Sequence, residues 1–312
     1  MSKLILSSTP LRISFIGGGT DFKEFFINNN TYGQVISASI NLFTYCIIKK
    51  KIAGEFNLDT KLFNNQIHNT NIHKAFSKFA KEQNISDKYD IIFHSDIPNG
   101  SGLGTSSSLI LCLLKCFFKS INKKVSNTKL IHFSNYFETS LMKRPMGIQD
   151  AWGSQVPGVK KIRFYKKKIS IIKIKQNNFT NFLNKKLFLY PINSFKSNHN
   201  ILNSIRKNII LNSTVNLLKE MNKLSNKAYN SIKKSDFNSF LSILRDSHDI
   251  KSSYSKGVSN KNIEQSFLYL KNKEVMPLKI LGAGGRGFIL FYCEDKKKLL
   301  DNKINHLDFK II

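Results

Sequence analysis

At 312 residues, with 41% hydrophobic and 12% aromatic content, the chain can bury one large core or two smaller ones. Lys and Arg number 49 against 20 acidic residues, a formal charge of +29. Taken alone this charge fits a nucleic acid or an anionic surface, but the lysines are scattered, and only residues 49–51, 166–168 and 296–298 form runs, each reading as a solvated face. No apolar stretch reaches the roughly 18 residues of a spanning helix, and the N-terminus has no signal pattern. Cys46, Cys112, Cys116 and Cys293 form neither Cys-x-x-Cys nor zinc spacing, so a cytoplasmic protein with reduced thiols and no membrane association is expected.

In chain order, residues 3–7 and 10–16 read as strands, the second ending at Gly17-Gly18-Gly19-Thr20-Asp21. Residues 34–39 and 42–50 read as a strand pair and 74–83 as a short helix. A strand over 89–94 precedes Pro98, Asn99, Gly100, Ser101, Gly102, Leu103, Gly104, Thr105, Ser106, Ser107 and Ser108, which open directly into an apolar helix over 109–118. The periodicity predicts a helix over 127–141, then a loop or helix start over 146–158 holding Gly147, Asp150 and Trp152, and a hairpin over 160–174 turning at 165–168. A polar stretch at 175–187 is the expected boundary between two α+β domains, residues 1–180 and 181–312. Beyond it come a strand over 187–192, helices over 200–210, 214–233, 237–254 and 261–271, and strands over 278–281 and 287–293.

Ten of the 16 glycines fall in three clusters, at 17–19, 100–104 and 282–287, each directly after a strand-like run. Loops that only turn the chain would spread them more evenly, so the clusters point to one site where backbone closely approaches a ligand. The segment 98–108 carries the clearest chemistry. A glycine-rich turn lets the backbone approach an anion, and the following helix presents its free N–H groups and partial positive end to it. The hydroxyls of residues 105–108 add donors and a possible ligand for a hard cation. The spacing is neither a Walker A loop nor a dinucleotide fingerprint. A tight turn with a serine-rich cap is the plainer reading, but it needs fewer glycines and hydroxyls than are present.

The three motifs, residues 10–21, 98–108 and 279–288, together resemble those of the GHMP small-molecule kinases, in order and separation across nearly the whole chain. The Gly-Gly-Gly-Thr-Asp form resembles the sugar 1-kinase branch that contains D-glycero-D-manno-heptose 7-phosphate kinase and fucokinase-like enzymes, and residues 147–153 resemble that branch's block carrying a catalytic Asp. The resemblance implies an N-terminal domain like ribosomal protein S5 domain 2, a ferredoxin-like C-terminal domain, and a cleft between them for ATP and substrate. It implies that residues 98–107 hold the ATP phosphates, with Ser106 as a Mg²⁺ ligand and Thr105 and Ser107 as phosphate donors. Glu138 is the candidate second metal ligand, with a solvated helix charge as its alternative.

Asp150 is implied as the base for the attacking hydroxyl, although an Asp here also reads as a helix cap. Arg12 would lie beside it, keeping it ionised. Gly18, Gly19, Thr20, Asp21, Gly284 and Gly285 are the implied substrate contacts. Two positions depart from the pattern: Ile148 stands where lysine is usual, and Arg286 where glycine is usual. Residues 190–199 replace a Tyr-Thr-Gly block of the relatives, with Lys196 as a possible stand-in for its arginine. Arg144, Arg163 and Lys196 are candidate partners for a second substrate phosphate on charge alone. The implied activity is ATP-dependent phosphorylation of an anomeric hydroxyl, first of D-glycero-D-manno-heptose 7-phosphate to the 1,7-bisphosphate. Alternatives are L-fucose or another free sugar, an inactive nucleotide- or sugar-binding relative, and a basic nucleic-acid-binding protein.

Overall fold

The computed structural model describes residues 4–51, 70–192 and 200–312. The first part runs β1 (Leu4–Ile16), α1 (Lys23–Phe26), β2 (Gly33–Lys50), α2 (Thr70–Glu82), β3 (Tyr89–Ser95), α3 (Thr105–Ser120), α4 (Asn127–Tyr136), a π-turn (Phe137–Leu141), α5 (Gln149–Gln155), β4 (Val159–Phe164) and β5 (Ile169–Lys173). The second runs α6 (Asn177–Lys186), β6 (Leu187–Pro191), α7 (Asn200–Ile210), α8 (Val215–Lys233), α9 (Phe237–Ser252), α10 (Lys261–Asn272), β7 (Met276–Ile280), β8 (Phe288–Tyr292) and α11 (Lys297–Asp301). The fold is α+β. A five-stranded antiparallel sheet has order β1-β2-β4-β5, with β3 pairing the far half of β2, and a three-stranded sheet has order β6-β8-β7. Among the described residues no helix is long and apolar enough to cross a membrane.

The expected strand pair over 34–50 is a single strand. Its partner β1 is also continuous and pairs along both halves. Pro10 faces Phe43 while Leu11 faces Ile40, so Asn41 and Leu42 bulge out of the ladder. Pro10 has no N–H to donate, and a bulge absorbs that gap without ending either strand. The C-terminal tail uses the bulge: Asn41 N–H donates to the Lys310 carbonyl over 2.9 Å. In the polar stretch expected to be a boundary, Phe179 and Leu183 one helical turn apart bury one face of α6, with Phe179 against Phe237 and Phe240 of α9.

Helices α3 and α5 pack on β1 and β2, whereas α8 and α9 pack on each other and reach from β1 and β2 to β7. One large apolar core therefore runs from the first sheet into α8 and α9, and a smaller one, around Ile263, Leu270, Ile280 and Phe291, lies under the second sheet. Phe79 meets Phe117, Phe118 and Phe133 edge-on, which fixes α2, α3 and α4 against one another. The expected helix over 127–141 is α4 followed by a π-turn closed by Met142 N–H to the Phe137 carbonyl at 2.9 Å. Such widened turns are frequent at functional sites, and this one carries Glu138.

Candidate active site

The end of β1 and the start of β2 set the first glycine loop. Thr20 Oγ1 donates to the Gly17 carbonyl at 2.8 Å and accepts from Gln34 N–H at 2.9 Å, and the residue is fully buried, so Thr20 braces the loop from behind. A side chain at Gly17, where φ is +96°, would put its Cβ 1.9 Å from the Gln34 carbonyl. Asp21, 2% exposed, accepts from the N–H groups of Gly19 and Gln149 and from Gln149 Nε2, each at 3.1 Å. Gln149 is held in turn by Ser14 Oγ at 2.7 Å, and Gly18 faces its amide.

The second loop leads from β3 into α3. The helix starts after Gly104, at φ +77°, and no side-chain hydrogen bond caps its first turn. A serine N-cap is therefore not what starts α3, and its first-turn N–H groups have no acceptor from a capping side chain. Ser101 Oγ and Thr105 Oγ1 pair at 3.0 Å inside the loop, while Pro98 and Asn99 are exposed at its outer edge. The third loop lies directly on the second. A Cβ on Gly102 would fall 2.6 Å from the Leu281 carbonyl oxygen, one on Gly282 2.3 Å from Gly102 Cα, and one on Gly287 2.3 Å from the Ser101 carbonyl oxygen. Arg286 lays its guanidinium against Gly100, toward the second loop. Gly284 and Gly285 turn the other way, onto Val258, whose carbonyl accepts from Gly285 N–H at 2.9 Å.

Arg12 joins these parts. Its backbone N–H donates to the Leu103 carbonyl at 2.9 Å and its Nη1 to the Gly102 carbonyl at 2.7 Å. Nε and Nη2 both donate to Asp150 Oδ1, at 3.0 and 2.7 Å. Arg12 is buried, whereas the Asp150 side chain keeps 22% of its surface exposed. Gly153, on the same helix as Asp150, lets Arg12 pass, because a Cβ there would meet Arg12 Cγ at 3.1 Å. Deeper in, Glu138 is fully buried and accepts from Ser106 Oγ at 2.8 Å, from Ser107 Oγ, and from Arg144 Nη1 at 2.9 Å. Arg144 also reaches Ser106 Oγ. Burial raises the Glu138 carboxyl, against the lowering effect of Arg144 and the two serines.

Burial, together with the charge of Asp150, raises Asp21 to about 6 from an ordinary 3.8. The fold thus favours neutral Asp21. That stabilisation is fully present below about pH 4 and is lost as pH rises through about 6. Asp21→Asn removes the titration. Its unfolding free energy relative to the parent is expected to shift in the variant's favour by roughly 3 kcal/mol between pH 4 and pH 8, checked by urea unfolding at both pH values. A parallel pair of pH profiles would contradict the buried, titrating carboxyl.

Residues 70–155 match the family model for the GHMP kinases N terminal domain. A D-glycero-alpha-D-manno-heptose 7-phosphate kinase from Campylobacter jejuni is 25% identical over 95% of this chain and 91% of its own. The chain is thus similar to the GHMP kinases, over residues 70–155 by the family model and over 95% of its length by the heptose 7-phosphate kinase. Two solved structures share the kinase fold: a D-glycero-D-manno-heptose 1-phosphate kinase from Bacteriodes thetaiotaomicron, with 17% identity, TM-score 0.73 and coverage of 99% of this chain and 96% of that one, and a galactokinase from Lactococcus lactis complexed with galactose, with 16% identity, TM-score 0.72 and coverage of 99% and 94%. The chain is a phosphotransferase acting on an alcohol acceptor.

Several residues packed around these loops escaped the sequence reading. Lys251 donates to the Ile280 carbonyl at 3.3 Å and to that of Gly282, and Lys279 to the Phe15 carbonyl at 2.6 Å, tying the third loop to α9 and β1. Burial, then the charge of Arg12, pushes Lys251 down to about 7. The signal was there: Lys251 continues the buried stripe of Phe240, Leu244 and Ser247 at helical spacing. Ile148 is buried and offers Asp21 only its N–H, so no cation stands where relatives carry lysine. Arg163 is engaged by Gln34 and Asn226 at 2.6 and 3.2 Å, and Arg144 by Glu138, while Lys196 lies outside the described residues.

Proposed function

We propose that this kinase transfers the γ-phosphoryl group of ATP to the anomeric hydroxyl of a sugar phosphate, with D-glycero-D-manno-heptose 7-phosphate as the first candidate. The observation that carries the reading is Arg12, which hydrogen-bonds the Gly102 carbonyl of the phosphate loop and Asp150 at once. The second loop, the uncapped start of α3 and Arg286 would bind and orient the ATP phosphates. Ser106 and Glu138 supply one hydroxyl and one buried carboxylate, a donor set that suits Mg²⁺, which takes few protein oxygens and completes its shell with phosphate and water. Bound Mg²⁺ would neutralise phosphate charge.

Asp150 accepts the proton of the attacking hydroxyl as the oxygen forms its bond to the γ-phosphorus and the bond to the ADP oxygen breaks. Arg12 holds the Asp150 carboxylate in place through two hydrogen bonds to Oδ1. Asp21 and Gln149 position the acceptor's other hydroxyls. The heptose phosphate reading draws its support from the Campylobacter jejuni relative.

A free sugar is the second reading, because Arg144 and Arg163, two of the cations eligible for a second phosphate, are engaged elsewhere. A galactokinase from Staphylococcus carnosus, 28% identical over 47% of this chain, favours it too. ADP release measured over a panel of hexoses, heptoses and their phosphates decides between them. The expected result is release with heptose 7-phosphate and loss of the free anomeric position by NMR. Turnover of a free sugar alone would transfer the assignment to the second reading, and no sugar-dependent release would end both.

A further inference from the structure

Tyr254 follows the C-terminal end of α9 and is 1% exposed. Its backbone is fixed on both sides: its N–H donates to the Lys251 carbonyl at 3.0 Å, and its carbonyl accepts from Asn208 Nδ2 at 2.8 Å. Its ring lies beside Leu218 against the first glycine loop, where a Cβ on Gly19 would sit 2.8 Å from Tyr254 Cε2. Yet its hydroxyl has no hydrogen-bond partner among the described residues. A buried phenol left unpaired loses its hydration with nothing in exchange, and phenylalanine would fill the same space without that loss. The hydroxyl is also within electrostatic reach of Asp21: burial and then the Asp21 charge raise the phenol above its ordinary value, so it stays neutral and able to donate.

We propose that Tyr254 is a specificity-determining residue of the acceptor site, its Oη hydrogen-bonding a hydroxyl of the bound polyol beside Asp21. This assignment rests on reading the first glycine loop as the acceptor site. The loop contributes Gly18, Gly19 and Asp21, with Gln149 beside them, and Tyr254 comes against Gly19 from the second half of the chain. The contact matches a neutral hydroxyl better than a phosphate, because a phenol adds no positive charge and Asp21 beside it repels an anion. Tyr254 thereby selects for the hydroxyl pattern of the sugar ring and leaves any terminal phosphate to other groups.

The test compares Tyr254→Phe with the parent enzyme. The acceptor KM is expected to rise about tenfold, the worth of one neutral hydrogen bond, while the ATP KM stays within about twofold. The thermal midpoint is expected to hold or rise, because the variant no longer buries an unpaired hydroxyl. Among singly deoxygenated acceptors, one should cost the parent enzyme what Tyr254→Phe costs and show no further loss in the variant. An unchanged acceptor KM would overturn the assignment. So would equal losses for acceptor and ATP with a lowered midpoint, the pattern of a packing residue. A parent enzyme that turns over no sugar in the panel would overturn the acceptor-site reading itself, and the assignment with it.

Discussion

Asp150→Asn is expected to lower kcat by about a thousandfold and to leave the affinity for an ATP analogue within about threefold. The amide occupies the same volume and can still accept from Arg12, so the link from Arg12 Nη1 to the Gly102 carbonyl survives. What is lost is the ability to take a proton from the acceptor hydroxyl. Rapid-quench measurement of the phosphoryl-transfer step separates this from slow product release. A kcat within tenfold of the parent enzyme would remove Asp150 from the role of base. A parallel loss of nucleotide affinity would mean that the carboxylate acts by holding the loop through Arg12.

Gly102→Ala is expected to push the second and third loops apart with a single methyl group. The residue sits at φ +81°, where a side chain is strained by about 1–3 kcal/mol. The new Cβ would also meet the backbone of Leu281 at 2.6 Å, and a backbone carbonyl cannot swing aside as a flexible side chain can. The third loop must move off the second, carrying Gly282, on which Lys251 donates. A displacement of about an ångström at the phosphates typically costs about a hundredfold in kcat/KM, and that is the expected loss, accompanied by weakened nucleotide binding. Gly158→Ala is the control, since φ there is +77° but nothing lies within 4 Å of the added methyl. It should be destabilised by strain alone, with nucleotide affinity intact.

Much of this architecture was legible in the chain itself. The three glycine loops stand out because each needs backbone where a side chain would collide, and glycine is the residue that leaves room. That two of them abut, Gly102 against Gly282, is a tertiary fact no local pattern contains. Residues 34–39 and 42–50 were expected as a strand pair, whereas β1 pairs along both and the interruption at Asn41 and Leu42 is a bulge that the C-terminal tail bonds. The π-turn was hidden because residues 127–141 keep an acceptable helical period, and the extra residue shows only in the bond from Met142 to Phe137. The sequence reading found Glu138 but also weighed it as a solvated charge; its complete burial depends on the arrival of Ser106, Ser107 and Arg144 from elsewhere in the chain. Tyr254, Lys251 and Lys279 were missed for the same reason. Each looks like an ordinary residue of a helix or strand until the second half of the chain folds over the first loop.

If the second and third glycine loops act as one phosphate cradle beside the Asp150 carboxylate held by Arg12, nucleotide affinity depends on the contact between those loops. Titration of an ATP analogue with Mg²⁺ into the parent enzyme, Asp150→Asn and Gly102→Ala tests it most directly. The first two are expected to bind alike and the third at least about tenfold more weakly. Equal affinity in all three would place the nucleotide somewhere other than these loops.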